Sequence, residues 1–281
     1  MATVRAGVLL CAALLAWPAA AQDAGALRAR YEALRESLAT SAFGLPLKVA
    51  SSGQRGEVYA VIEQPYGELA PSLGQAARWC DILLLIVTVK RCEASRAARA
   101  QRVSAFITRK PRDALDGAER IDLGYRVVAD SGDYLHVVLS APTGPAGTRN
   151  YEIGVEAVAL DDRRSFVHLS YSCELGLAAR LAMGAYLETS GRGKVGFSVV
   201  ERRADGTPVY VGGMRGVAER NAMRYYLAMK AYLDSLAAPP PQRLEARLRE
   251  WYAGIERYPR QLKESIGAEE YLAMKRREAS S

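Results

Sequence analysis

The sequence predicts an α+β fold, built from one antiparallel sheet and a long amphipathic helix near the C-terminus. Three observations carry this. Five strand-like segments follow one another between residues 103 and 173 with short turns between them. A helical pattern fills residues 216–238, and helical periodicity recurs at both ends of the chain.

The first residues, MATVRAGVLLCAALLAWPAAAQDA, set one early positive charge, Arg5, before an apolar stretch from about Gly7 to Trp17. The small-residue site Ala19-Ala20-Ala21 follows, which predicts a signal peptide over residues 1–21, cut before Gln22. The apolar stretch falls short of the roughly 20 residues a membrane-spanning helix needs. An uncleaved anchor and a lipoprotein signal at Cys11 are the alternatives; Leu10 stands where a lipoprotein signal usually has a small residue. The expectation is a periplasmic or secreted protein. Loss of Arg5 takes the formal net charge from +7 to +6, and the excess is spread along the chain. No Lys/Arg tract of nucleic-acid type appears, so no nucleic-acid partner is expected. A basic surface after export fits peripheral contact with an anionic membrane surface or an anionic ligand, or simply ordinary solubilising charge.

Residues 22–44 hold an N-terminal helix, with Leu27, Tyr31, Leu34 and Leu38 at helical spacing. In GEVYAVIEQP, Val58, Ala60 and Ile62 alternate with polar and mixed positions, a strand stopped by Pro65. Residues 66–81 read as helical and lead into WCDILLLIVTVKRC. The apolar run there, Ile82 to Val89, is too short to span a bilayer, and Cys80 and Cys92 are twelve apart, so there is no CxxC redox motif. Export permits a Cys80–Cys92 disulfide. Neither one strand nor one helix would bring the two Cα atoms within about 7 Å. The bridge therefore requires a reversal, helix to about Leu85 and then a strand from Val87 running back.

The sheet strands are 103–110, 120–129, 133–141, 149–160 and 165–173, broken by turn signals such as Asp116-Gly117 and Asp161-Asp162. One face collects Ile121, Leu123, Tyr125 and Val127, then Leu135, Val137 and Leu139, then Tyr151, Ile153 and Val155, then Val167, Leu169, Tyr171 and Cys173. The opposite face carries Asp122, Arg126, Glu152 and Glu156 and is expected to look into water. A helix at 175–189 and a hairpin around Asp205-Gly206 precede the long helix. Tyr225, Tyr226, Met229, Tyr232, Leu233 and Leu236 share one side of that helix. Pro239-Pro240-Pro241 ends it. Two weaker helices follow, over 239–281, with Leu244, Leu248, Trp251, Tyr252 and Ile255 as the first stripe. This extension docks on the domain, pairs with another chain, or lies on a membrane, docking being the default expectation.

The order of strand, helical segment, antiparallel meander and long amphipathic helix resembles the START-like helix-grip superfamily, which includes polyketide cyclase-like and lipid-transfer domains. GEVYAVIEQPYGELAPSL looks like that family's opening strand and first helix, and GGMRGVAERNAMRYYLAMKAYL like its last strand and gripping helix. The chain is also similar to exported proteobacterial proteins sharing WCDIL, GTRxY, HLSY and RGVxERNxMRYY-type patterns. The resemblance covers residues 45–238 and implies a curved sheet that wraps the final helix around a deep, mostly apolar cavity. Residues 239–281 have no counterpart in a minimal domain of that kind.

Catalytic signatures are scarce. The two histidines, His136 and His168, lie inside predicted strands, and no HExxH or Cys/His cluster suggests a metal. No cofactor is implied. His168 falls on the face opposite the expected cavity, as a sheet histidine making structural hydrogen bonds. GRGKVGF lacks Walker spacing and reads as a turn; no GxSxG occurs. RGVAERNAMR gathers Arg215, Glu219, Arg220, Asn221 and Arg224. One reading is anion capture near a helix N-terminus; the favoured one is a ladder of charged pairs along the helix, with Arg215 pointing inward as the exception. If a cavity exists, its wall is expected to be Tyr125, Tyr151, Tyr171, Arg215, Tyr225, Tyr226, Met229 and Leu233, tyrosines offering both a ring and a hydroxyl. Core packing is the competing role for the same residues.

Three functions remain open. The first is a carrier or binding protein for a hydrophobic or amphipathic small molecule, such as a lipid. The second is a cavity enzyme of cyclase or hydrolase type. The third is an envelope interaction protein acting through residues 242–276.

Overall fold

The computed structural model describes residues 19–97, 100–189 and 191–280. The apolar stretch of the expected signal peptide and Cys11 lie outside them. The first described helix, α1 (Ala19–Ala39), leads to a hairpin of β1 (Leu47–Ser52) and β2 (Arg55–Ile62). The expected helical segment is two short helices, α2 (Tyr66–Leu73) and α3 (Ala76–Leu83), broken at Gly74. The meander then runs β3 (Val89–Ala97), β4 (Ala100–Ile107), β5 (Glu119–Asp130), β6 (Tyr134–Thr143), β7 (Thr148–Ala159) and β8 (Ser165–Leu175). After it come α4 (Leu177–Glu188), the small hairpin β9 (Val199–Arg202) and β10 (Pro208–Tyr210), and the long helix α5 (Gly213–Ser235). The extension holds α6 (Arg243–Glu256), the single turn α7 (Pro259–Leu262) and α8 (Ala268–Ala279).

All eight large strands form one antiparallel, curved sheet in the order β1-β2-β8-β7-β6-β5-β4-β3. β2 beside β8 joins the first hairpin to the last strand of the meander, so consecutive neighbours are interrupted only once. α5 lies against β1, β2 and β8 on the concave side. This is the expected α+β arrangement, a curved antiparallel sheet gripping a long helix. The grip is tight at one point: a Cβ on Gly56 would stand 2.2 Å from the carbonyl oxygen of Ala218 in α5. Only a residue without a side chain lets strand and helix backbones approach so closely.

The strand phases place their inward residues in one continuous core. Ile121, Leu123, Leu135, Val137, Ile153, Val155, Val167 and Leu169 are all buried there. The outer face departs from expectation. Around β2, β7 and β8 it is covered by α1, whose Ala24, Leu27 and Leu38 pack on Tyr59, Tyr134, Val158 and Phe166. The amphipathic stripe of α1 needs an apolar partner, and these outward aromatics supply one. His168 sits in this layer, stacked on Tyr59 at 4.4 Å. Its Nδ1 meets Glu156 Oε2 at 2.8 Å and its Nε2 meets Glu57 Oε1 at 3.2 Å.

Cys80 in α3 and Cys92 in β3 are bridged, with Cα atoms 5.2 Å apart. The chain reverses between them, as the bridge requires. The extension docks: Leu248, Trp251, Ile255, Leu262 and Tyr271 belong to the main core. Tyr271 donates to Leu85 O at 2.8 Å and Lys275 Nζ to Val89 O at 2.6 Å, which ties α8 to the start of β3. Its apolar stripes are therefore spent on this chain's own core.

The charge ladder on α5 does not form. Glu219 is wholly buried and turns away from the helix's arginines. It accepts from the backbone N–H groups of Phe197 (2.6 Å) and Ser198 (2.9 Å) and from the hydroxyls of Ser198 and Ser51 (both 2.7 Å). A buried carboxylate needs such donors, and a partly exposed arginine on its own helix satisfies it less well. This also explains why the first strand of the hairpin around Asp205-Gly206 begins only at Val199: the N–H groups of Phe197 and Ser198 before it are diverted to Glu219. Arg220 donates to the carbonyls of Lys194 and Val195, and burial lowers its pKa to about 10.

Candidate functional site

The concave side of the sheet is filled along most of its length and open near one end. A cleft of about 310 Å³ lies there, at the small end of the range for ligand pockets. Six stretches of chain enclose it. The α3–β3 turn supplies an apolar wall of Ile86, Val87 and Val89, continued by Ile107 at the end of β4. The β6–β7 turn adds Pro145 and Thr148, and the sheet contributes Tyr151 and Tyr171. α5 brings Asn221, Arg224 and Tyr225, and the α7–α8 loop brings Glu264.

Each wall has a local cause. The Cys80–Cys92 bridge fixes the turn that presents Ile86 to Val89, since it ties the helix before the turn to the strand after it. The β6–β7 turn is tight: Ala146 and Asn150 both take positive φ (55° and 48°), and Ala146 N–H is held by Glu119 at 2.9 Å. Tyr151 and Tyr171 face inward because they share the phase of Ile153 and Leu169 on neighbouring strands, and Ile153 is the register partner of Tyr171. Tyr225 reaches them from one turn of α5.

The three tyrosines form a connected group. Tyr151 packs edge-on against Tyr171 at 5.3 Å, and Tyr171 stacks on Tyr225 at 5.5 Å. The hydroxyls of Tyr151 and Tyr225 are hydrogen-bonded to each other. Tyr171 donates to Cys173 Sγ at 3.4 Å. Burial drives all three hydroxyl pKa values up, so they stay protonated and act as hydrogen-bond partners, not bases. Beside them Arg224 Nε meets Glu264 Oε1 at 2.9 Å, with the two side chains only 18% and 11% exposed.

A second, smaller cavity of about 130 Å³ lies behind Tyr171, lined by Gln54, Cys173, Leu175, Met183, Met214 and Val217. Tyr171, Thr148 and Asn221 line both spaces and so form the partition between them. Cys173 is partly buried, and burial raises its thiol pKa, which suits a small apolar wall residue better than a nucleophile.

Of the eight residues expected to line a cavity, the structure brings Tyr151, Tyr171 and Tyr225 together at the cleft. Tyr226, Met229 and Leu233 lie in solid core with at most 1% exposure, and Tyr125 is buried with its hydroxyl on Leu73 O at 3.0 Å. Arg215 points outward; its Nε donates to Ser51 Oγ at 3.2 Å. Sequence reasoning missed Ile86 to Val89 and Glu264, and it set Asn221 and Arg224 in a polar cluster for which anion capture was the less favoured reading. Arg224 was visible in a charge-dense stretch, but no local pattern links it to Glu264, forty residues on.

No model of a known protein family matches the sequence, and no curated protein does either. Solved structures do align. Human StAR-related lipid transfer protein 5 aligns over 61% of this chain and 90% of its own, with 12% identity and a TM-score of 0.32. The di-domain ARO/CYC from the BE-7585A biosynthetic pathway aligns over 84% of this chain and 60% of its own, with 13% identity and a TM-score of 0.32. A conserved protein of unknown function from Enterococcus faecalis aligns over 88% and 96%, with 8% identity and a TM-score of 0.32. These likenesses are of architecture and bring no ligand to this chain.

Proposed function

We propose that this protein binds a small hydrophobic or amphipathic molecule, such as a lipid, in the cleft between the α3–β3 turn, the β6–β7 turn and α5. The observation that carries the reading is the cleft's lining: an apolar wall of Ile86, Val87, Val89 and Ile107 opposite a cluster of tyrosine hydroxyls. Such a surface removes an apolar body from water while giving one polar group a partner. The reading places the protein in the periplasm or outside the cell, in peripheral contact with anionic membranes. Leu177 and Leu181, 76% and 67% exposed on α4 beside Arg180, support that contact.

The test is native mass spectrometry of the purified protein before and after extraction with organic solvent. A bound apolar mass that is lost on extraction and regained on incubation with lipid extract is the expected result. An Ile107→Trp variant, filling the cleft from a half-buried position of its apolar wall, should lose that mass while remaining folded. A folded wild-type protein that takes up no apolar ligand from the extract would overturn the reading.

A further inference from the structure

Arg224 and Glu264 are the ionised pair in an otherwise apolar and hydroxyl-lined cleft. A charge in such a place has lost part of its hydration and needs a reason to stay. The packing around it is built to hold it. Trp251 of α6 donates to the backbone carbonyl of Arg224 at 3.5 Å. Tyr252 donates to Ile266 O at 2.7 Å, which pins the loop that carries Glu264. The two charges thus come from the long helix and from the extension, and the extension completes the cleft.

The pairing is incomplete on the arginine side. Glu264 engages Nε alone, at 2.9 Å. Among the described residues the two terminal nitrogens of Arg224 make no protein hydrogen bond, although they belong to a side chain that lines the cleft. A guanidinium is a planar fork of five donors, matched to a carboxylate by two parallel hydrogen bonds. The fork's open side, the Tyr151–Tyr225 hydroxyl pair and the amide of Asn221 all border the same space. An apolar chain laid along Ile86 to Val89 would end at these groups.

Resting on the binding function proposed above, we infer that the ligand is an amphipathic acid whose carboxylate is taken by Arg224, with Glu264 as the resident competitor. Glu264 keeps the arginine neutralised in the empty cleft. It also opposes the incoming acid by like-charge repulsion, so affinity for acids is set by the balance of the two residues.

The experiment is isothermal titration of the full exported chain with decanoate and, separately, with 1-decanol, which share an apolar body and differ in the head group. Wild type should bind decanoate about tenfold more tightly than decanol, the discrimination expected of one charge-assisted pair. Arg224→Met should abolish the preference by weakening decanoate about tenfold while leaving decanol within about twofold. Glu264→Gln should tighten decanoate roughly three- to tenfold and leave decanol unchanged. If Arg224→Met fails to fold, the double variant Arg224→Met/Glu264→Gln, which orphans no charge, replaces it with the same expectation. Equal binding of acid and alcohol by wild type overturns the inference and leaves the binding function standing. Equal loss of both ligands on Arg224→Met also overturns it, as a purely structural role for the arginine. Binding of neither ligand by folded wild type overturns the inference together with the reading beneath it.

Discussion

The close contact between β2 and α5 makes Gly56 the most demanding position in the fold. In Gly56→Ala the new Cβ would stand 2.2 Å from Ala218 O, 2.5 Å from Ala218 C and 3.0 Å from Glu219 N. All three are backbone atoms, so no side-chain rotation relieves them. Ordinary contact begins near 3.4 Å, and α5 would have to withdraw by about 1 Å, more than a close-packed interior tolerates. The withdrawal would stretch the bonds that lock Glu219 to Ser51, Phe197 and Ser198, now 2.6 to 2.9 Å long. Overpacking alone costs about 1–3 kcal/mol, and weakening bonds to a buried charge adds about 1.5–3 kcal/mol. The expected loss is therefore at least about 2.5 kcal/mol. Guanidinium unfolding at neutral pH, followed by circular dichroism, measures it, with Gly53→Ala as control. Gly53 has φ +56° and open space around its missing Cβ, so that change carries only the left-handed backbone strain of about 1–2 kcal/mol. If Gly56→Ala lies within about 0.5 kcal/mol of wild type, the helix grip is not the tight contact described. Tyr171 is the register partner of Gly56, so the variant should also weaken ligand uptake in the cleft.

Three further outcomes are expected. Replacing both Cys80 and Cys92 by Ser opens a loop of sequence separation 12 and should lower stability by roughly 3 kcal/mol in the same assay; a loss under about 1 kcal/mol would refute the role given to the bridge. Trp251→Ala removes a wholly buried ring from the extension and should cost about 3–5 kcal/mol. An unchanged midpoint for that variant would mean the extension is an appendage and not core. The layer under α1 should respond to pH. Burial disfavours charge on His168, but its hydrogen bonds to Glu156 and Glu57 outweigh burial and raise its pKa above 6.5. Its hydrogen bond lowers the pKa of Glu57 below 4.5, and Glu156 is likewise lowered despite its own burial. A raised base stabilises below its unfolded pKa and fades as pH rises through the folded value; lowered acids stabilise above their unfolded pKa and fade as pH falls. The stability gap between wild type and His168→Gln should thus be widest between about pH 4.5 and 6.5 and narrow above it. A gap that widens from pH 7 to 9 would refute the charged-histidine account.

What could be read from the sequence follows from the range of each interaction. The strand phases were legible because alternation is a property of neighbours: once Ile153 is inward, Tyr151 must be too. The Cys80–Cys92 reversal was legible because two extreme chain geometries both fail to close it. The outer face was misread because polarity along a strand does not say whether another helix will cover it. Only Tyr59, Tyr134 and Phe166, outward and aromatic, hinted that α1 would lie there. The site was half legible for a sharper reason. Tyr151, Tyr171, Tyr225, Tyr226, Met229 and Leu233 all point inward, and phase alone cannot separate those that meet a void from those that fill the core. That distinction depends on how far α5 sinks into the sheet. Gly56 sets the depth by admitting the backbone of Ala218, and the space beyond that contact closes over Tyr226, Met229 and Leu233. Beside that contact, the β6–β7 turn and the disulfide-held α3–β3 turn supply the remaining walls, and Tyr151, Tyr171 and Tyr225 are left facing a cleft. Arg224 belongs to the cleft for the same reason: the extension, which periodicity presents as separate, returns to set Glu264 beside it. A binding site of this kind is a property of where several distant segments stop, and no single segment encodes that.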